Sequence, residues 1–364
     1  MNAFLTLIVI VQSFLYTSPQ VPVSDLINDN VFLDEEGLFE SDEILELTLE
    51  GDVRSIMKDR GDDHVYHPMK LTYQDSDNTM VSLDMRVRTR GNFRRQRANC
   101  KKPPLTLNFE EQAPPETSLF AGETKLKLVV PCQHEKHVMR EYLVYKLYNL
   151  VTDYSFRARP VKLVYHDTNK DDISDPEYGF LIEDEDHLAA RTNSKILKRD
   201  GLLPEHMDKE AFHKMAVFGY MAGNTDWSIQ YRHNIKLLYS EASKSIICVP
   251  YDFDLVGMVS ASYAKPAEAL NLRSVKDRRY RGYCLEDLSL LEPVFDQFRT
   301  LKPEFYRLYQ EDTILDEGFI KSMVKYLDEF YKTIDDPKKC EKEFLYPCDK
   351  NGTGNVVIMG MDKG

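Results

Sequence analysis

Apolar and polar positions alternate with period two along "LELTLEGD" (45–52) and "VSLDMRVRTRGN" (81–92), which predicts strands with one face turned to a core. "PPLTLNF" (103–109) and "TKLKLVVP" (124–131) are short apolar or alternating runs bounded by Pro and Gly. The period then lengthens. In "VMREYLVYKLYNLV", Met139, Tyr142, Leu143, Leu147 and Leu150 recur at spacings of three and four, as on one face of a helix. Two further strands follow, "ARPVKLVYHD" (158–167) and "YGFLIED" (178–184). Near Glu183 helices take over. "DKEAFHKMAVFGYMAGN" carries Phe212, Met215, Ala216, Gly219 and Ala222 on one face. "FIKSMVKYLDEFY" does the same with Ile320, Met323, Val324, Leu327, Phe330 and Tyr331. Between them lie the strands "NIKLLYS" and "SIICVPYDFD". The pattern is α+β: a mostly antiparallel sheet with one main helix, then a helical half with an inserted hairpin, and a cleft expected between the halves.

The chain ends hold less pattern. The apolar run from Ala3 to Tyr16 is shorter than the roughly 20 residues a helix needs to span a bilayer, and no later segment reads as transmembrane. Residues 1–23 fit a secretory signal peptide, although no Lys or Arg precedes the apolar run and no A-x-A site follows it. A buried N-terminal strand or helix is the other reading. Residues 24–42 are acidic and read as a linker, and 337–364 as a C-terminal tail.

The 60 acidic and 47 basic side chains give a formal net charge of −13, which argues against general affinity for nucleic acid. None of the six cysteines forms a C-x-x-C pair, so a structural zinc site is not expected. Cys340 and Cys348 are spaced to close a small terminal loop. Cys100, Cys132, Cys248 and Cys284 fit disulfides of an exported protein or buried thiols equally well.

The candidate chemistry lies in the second half. "PYDFD" ends an apolar strand on Asp252 and Asp254, where a carboxylate leaving the core needs a cation or hydrogen bonds. Mg²⁺ accepts one or two protein carboxylates plus phosphate oxygens, and Asn234 offers a neutral oxygen to the same ion. Asp226, just past the 208–224 helix, is placed to orient a nucleophile or take its proton. D-x-D alone is a weak signal, more often turn or capping chemistry than metal binding. Asp226, Asn234 and Asp252 in this order strengthen it, because protein kinases use an Asp, a downstream Asn and a strand-end Asp in the same sequence of roles. The spacing departs from theirs: no H-R-D is present, and Asp254 stands where the kinase D-F-G has Gly.

In the first half, alternation puts Arg86, Arg88 and Arg90 on one strand face, suited to phosphate or simply to solvent, with Gly91 allowing close backbone approach. Lys125 and Lys127 share a face one strand before the helix bearing Glu141, and Lys127 with Glu141 is the favoured phosphate-side ion pair. Trp227 reads as a core residue and His233 as structural. The basic loop from Arg273 to Arg281 reads as a site for an acidic protein or as an exposed loop. No G-x-G-x-x-G occurs.

Together, "RTRGNFRR", "KKPPLTLNF", "REYLVYKLYNLV", "YGFLIEDEDHLAAR", "GNTDWS…RHN" and "VPYDFD" resemble the spore-coat-protein-H (CotH) kinase family, from about Asp84 to Gly282. The resemblance implies an atypical two-lobed protein-kinase-like fold, with an N-lobe at 43–184 and a catalytic C-lobe at 185–336. It implies an exported enzyme that transfers phosphate from ATP, with Mg²⁺, to Ser or Thr of another exported or surface protein. Carried onto this chain, Asp226 is the catalytic residue and Asn234, Asp252 and Asp254 are metal ligands. Arg90, Lys127, Glu141 and Glu183 would face the nucleotide, Glu183 near the adenine. Two rival readings stand beside it: a pseudokinase-like scaffold, and a glycosyl- or nucleotidyltransferase using the D-x-D metal site.

Overall fold

The computed structural model describes the backbone of residues 26–27 and the chain over 37–282, 284–285 and 287–345. Residues 1–23, read as a signal segment, and most of the expected tail lie outside the described residues.

The first half closes into a barrel rather than an open kinase-type sheet. Its strands are β2 (Leu45–Gly51), β3 (His67–Gln74), β4 (Met80–Thr89), β5 (Leu105–Asn108), β6 (Lys125–Val129), β7 (Ala158–Asp167) and β9 (Glu177–Ile182), in the spatial order β2-β3-β4-β5-β6-β9-β7. β2 pairs antiparallel with β3 and also parallel with β7, from Leu45↔Val161 to Gly51↔Asp167. That parallel seam joins the two ends of the sheet and makes the barrel mixed. The two-residue β8 (Asp172–Ile173) hangs on β7 outside the ring. The expectation of an antiparallel N-lobe sheet in a kinase-like fold is therefore overturned.

Period-two alternation does place the core. Leu45, Leu47 and Leu49 of β2, Leu83, Met85 and Val87 of β4, and Leu126 and Leu128 of β6 all point into the barrel. Burying each is worth about 1.5–3 kcal/mol. The intervening Arg86 and Arg88 turn outward, their guanidiniums over the Tyr66 ring at 5.6 and 4.5 Å.

The helix α2 (Glu135–Val151) is apolar well beyond one face. Val138, Met139, Tyr142, Leu143, Val144, Tyr145, Leu147 and Tyr148 are all buried. A helix with so wide an apolar surface, and with Arg140 and Glu141 buried beside it, belongs inside the protein. α2 lies between the barrel strand β9 and the helix α5 (Glu292–Gln310), and its side chains join the second core.

The second half is not simply helical. A four-stranded antiparallel sheet runs β1 (Leu26–Ile27), β10 (Ser194–Leu197), β11 (Ile235–Ser240), β12 (Ser245–Pro250). α3 (Glu185–Arg191) packs on β10 and α4 (Lys209–Ala222) on β12; α5 lies against α4 and α2, α6 (Glu317–Ile334) against α5, and α7 (Pro337–Phe344) against α6, while the short α1 (Val53–Lys58) lies beside the barrel. The expected linker at 24–42 is in part structured: Leu26 and Ile27 pair with β10, Leu38 is buried, and Asp42 holds Lys146 at 2.6 Å. The expected tail likewise begins as α7, which buries Cys340 and Phe344. Cys340 is a free thiol, as is Cys248, and Cys348, its expected loop partner, lies outside the described residues. Cys100 pairs with Cys132, and Cys284 is disulfide-bonded too.

Candidate active site

Asp226 stands where α4 stops. Asp208 caps the helix at its start by accepting a hydrogen bond from the Ala211 N–H. Gly223 ends it at φ +70°, and a Cβ there would lie 3.1 Å from the Gly257 backbone and 2.5 Å from the Tyr326 hydroxyl. Only glycine lets the helix end meet the segment after "PYDFD", where the Gly257 and Met258 N–H groups donate to the Gly223 and Ala222 carbonyls. The two loops that carry acids are thus joined backbone to backbone.

The chain then doubles back. Ser228 and His233 exchange two backbone hydrogen bonds of 2.9 Å. This returns His233 Nε2 to 2.9 Å from Asp226 Oδ1, and Asn234 Nδ2 donates to Asp226 Oδ2 at 3.0 Å and to its carbonyl at 2.9 Å. The β11–β12 register, Ile235↔Pro250, brings the next pair into place, with the Tyr251 N–H donating to the Asn234 carbonyl. Asp252 follows immediately at φ +62°, its N–H held by the Tyr145 hydroxyl at 2.9 Å. Arg232 and Asn234 also have positive φ, +47° and +50°. Non-glycine residues in this region cost about 1–3 kcal/mol each and cluster where geometry serves function. Phe253 is fully buried against Tyr145, ring centroids 4.8 Å apart, with Asp252 on the cleft wall before it and the buried Asp254 after it.

These elements enclose a cleft of ≈ 910 Å³ whose walls include Arg90, Arg94, Asp226, Asn234, Asp252 and Asp254. The structure therefore brings together the expected catalytic Asp, all three expected metal ligands and one expected phosphate ligand. Arg90 emerges just past β4, followed by Gly91 at φ +82°. Among the described residues its guanidinium makes no hydrogen bond or ion pair, and neither does the Asp252 carboxylate.

Behind the cleft lies a buried charge cluster. Arg94 Nη1 is 3.1 Å from Glu141 Oε2 and 3.5 Å from Asp254 Oδ2, and the Tyr263 hydroxyl donates to Asp254 at 3.0 Å. Burial pushes the Asp254 carboxyl up to about 7 against the pull of Arg94, with the Asp252 charge adding to the rise. Burial likewise raises Glu141 well above the carboxylate range, opposed by Arg94. Glu141 Oε1 is buried without a hydrogen-bond partner.

Two expectations fail on geometry. Lys127 does not pair with Glu141; Arg94 does. The Lys127 ammonium sits over the Tyr251 and Phe156 rings at 5.2 and 5.4 Å, and burial, then Arg90 and Lys236, push it down to about 8. Glu183 is not at the cleft wall. Its carboxylate takes Arg191 at 2.7 Å and the Arg157 N–H at 3.0 Å, while its own N–H donates to the Arg157 carbonyl, leaving that N–H committed. Arg86 and Arg88 lie outside the cleft as well. In the basic loop, Arg278 and Arg281 turn inward onto backbone carbonyls. Trp227 is a buried residue as expected, and His233 touches the site directly. Arg94, Tyr145 and Tyr263 received no role from the sequence; a basic pair after Gly91 was the one visible sign of Arg94.

Among the described residues no group of three or more His, Cys, Asp or Glu side chains is arranged to hold a metal ion. Mg²⁺ does not require one, since it retains waters and takes substrate oxygens beside one or two carboxylates. The unpartnered Asp252 carboxylate on the cleft wall suits such a cation. The chain matches no protein-family model, and no curated protein matches it.

Proposed function

We propose that the cleft binds a magnesium nucleotide and that the protein is an ATP-dependent phosphotransferase acting on Ser or Thr hydroxyls of another protein. One observation carries this reading: the same cleft presents an unpartnered cation, Arg90, and an unpartnered anion, Asp252, with Asp226 alongside. A phosphate chain and its metal need these opposite charges together. Asp252 and Asn234, with Asp254 behind them, would hold Mg²⁺, which neutralises charge on phosphate oxygens. Arg90 would take phosphate oxygens directly. Asp226, oriented by His233 and Asn234, would accept the proton of the attacking hydroxyl as the oxygen bonds phosphorus and ADP leaves. The motif order shared with the CotH family supports the same assignment. The barrel means that the activity is argued from the site and not from a kinase lobe.

The Cys100–Cys132 disulfide supports an exported location, where such bonds persist. A second reading, nucleotide binding without transfer, draws support from Asp226, both of whose carboxylate oxygens are already engaged. Incubation with labelled ATP, Mg²⁺ and generic protein acceptors separates the two. Transfer lost in Asp226→Asn supports the phosphotransferase; tight ATP binding without transfer in the native chain supports the scaffold. No nucleotide binding at all would overturn both.

A further inference from the structure

Arg278 and Arg281 of the basic loop face inward, against the backbone that leads to Asp226, while Arg279 between them is exposed. Arg281 is 4 % exposed. Its Nη1 donates to the Thr225 carbonyl at 2.8 Å and to the Trp227 carbonyl at 2.6 Å, the two carbonyls that flank Asp226. The same guanidinium lies 4.6 Å over the Trp227 ring. Three positions earlier, Arg278 donates to the Met221 carbonyl at the end of α4 and to the Tyr326 carbonyl, stacked 3.6 Å over the Tyr326 ring. Helix end and Asp226 loop are therefore held by two neighbouring arginines.

We infer that Arg281 is a positioning residue for Asp226, holding the peptide that precedes it through the Thr225 carbonyl and the one beyond Trp227 through the Trp227 carbonyl, so that the Asp226 carboxylate keeps one direction in the cleft. The inference rests on the reading of Asp226 given above. The geometry favours it over a merely packed arginine, because one nitrogen bridges the carbonyls at i−1 and i+1 of the residue concerned. Lysine in this place has a single mobile ammonium and no planar fork, so it cannot both stack on Trp227 and hold the two carbonyls in the same way. A misplacement of about 1 Å at a reacting group costs on the order of 100-fold in rate.

Trp227 is the sole tryptophan of the chain, so intrinsic fluorescence reports on this loop without any assay of activity. The test compares the full chain with Arg281→Gln and Arg281→Lys by thermal melting, tryptophan emission with acrylamide quenching, and steady-state transfer from ATP. The expected result for Arg281→Gln is a red-shifted, more quenchable Trp227. With it, kcat falls on the order of 100-fold while KM for ATP stays within about twofold. Arg281→Lys should fall between, and it carries the test if the glutamine variant does not fold. Native kcat in a folded variant whose tryptophan emission has shifted would overturn the inference, and so would unchanged emission. If the native chain transfers no phosphate, the proposed function fails by itself. Fluorescence then decides alone: unchanged emission in both variants overturns the positioning role, and a shift in both upholds the hold on the loop.

Discussion

His233 Nε2 lies 2.9 Å from Asp226 Oδ1, seven positions away, because Ser228 and His233 pair backbone to backbone and fold the intervening loop shut. The hydrogen bond to Asp226 raises the His233 pKa above the ordinary histidine value, opposed by burial, and the Asp226 and Asp252 charges add to the rise. A raised folded-state pKa gives stability that is fully present below the unfolded histidine value, about 6.5. That stability is lost as pH rises through the folded value. The native protein should therefore melt at progressively lower temperature as pH is taken from about 6 upward through the raised pKa. His233→Asn should flatten that slope, leaving the part that Asp254 and Lys127 contribute. Parallel slopes in the two proteins would show that the contact contributes nothing to stability.

Asp252 combines an unpartnered carboxylate with a left-handed backbone, φ +62°. Asparagine tolerates this conformation well and alanine poorly. Asp252→Asn also removes a charge that disfavours ionisation of Asp254. We expect Asp252→Asn to melt at or above the native temperature while transfer from ATP falls at least on the order of 100-fold, and Asp252→Ala to lose both. Calorimetry alongside the transfer assay checks this. A large drop in melting temperature for the asparagine variant would contradict the assignment of this carboxylate to ligand rather than to structure.

Arg94 is buried between Glu141 and Asp254, 3.1 and 3.5 Å away. Its removal leaves two buried carboxylates facing each other. Breaking a buried ion pair by deleting one partner costs about 3–5 kcal/mol. Arg94→Met should lose stability in that range by urea unfolding at pH 7. The double variant with Glu141→Gln should recover part of the loss, since one of the stranded charges goes with it. Additive losses in the double variant would show that the two side chains are not coupled.

What the sequence made legible follows from sequence distance. Asp226, Asn234, Asp252 and Asp254 lie on one helix end and one hairpin, and period-two alternation with a short turn brings such neighbours together without knowledge of the rest of the chain. Barrel closure was not legible. It depends on β2 meeting β7 in parallel across more than a hundred residues, and β2 alternates in the same way whether its second edge is open or paired. β3, which bridges β2 to β4, carries a Pro and four polar residues, His67, Lys70, Thr72 and Gln74, among its eight and drew no strand assignment. The Glu141 partner failed likewise. Lys127 sits on the neighbouring strand of the sequence, while Arg94 reaches Glu141 from a loop 47 positions before it. Arg278 and Arg281 looked like surface charge because composition does not reveal which backbone carbonyls lack partners.

That Arg94 loop is itself fastened. Cys100 is bonded to Cys132, just ahead of the helix that bears Glu141, and the Lys101 N–H donates to the Cys132 carbonyl at 3.0 Å. The bond spans a sequence separation of 32, for which the loop-entropy relation gives roughly 3–4 kcal/mol. Cys100→Ser with Cys132→Ser should therefore destabilise the protein by about that amount. The loss should reach the cleft as well, because the released segment carries Arg90, Gly91 and Arg94 into its wall. The measurement is urea unfolding of the double variant with and without saturating Mg²⁺ and ATP. If the disulfide orders the phosphate-side wall, nucleotide should bind the double variant at least about tenfold more weakly, so that ligand stabilisation shrinks by about 1.4 kcal/mol. Equal ligand stabilisation in the two proteins would confine the disulfide to a general effect on the unfolded chain and separate it from the site.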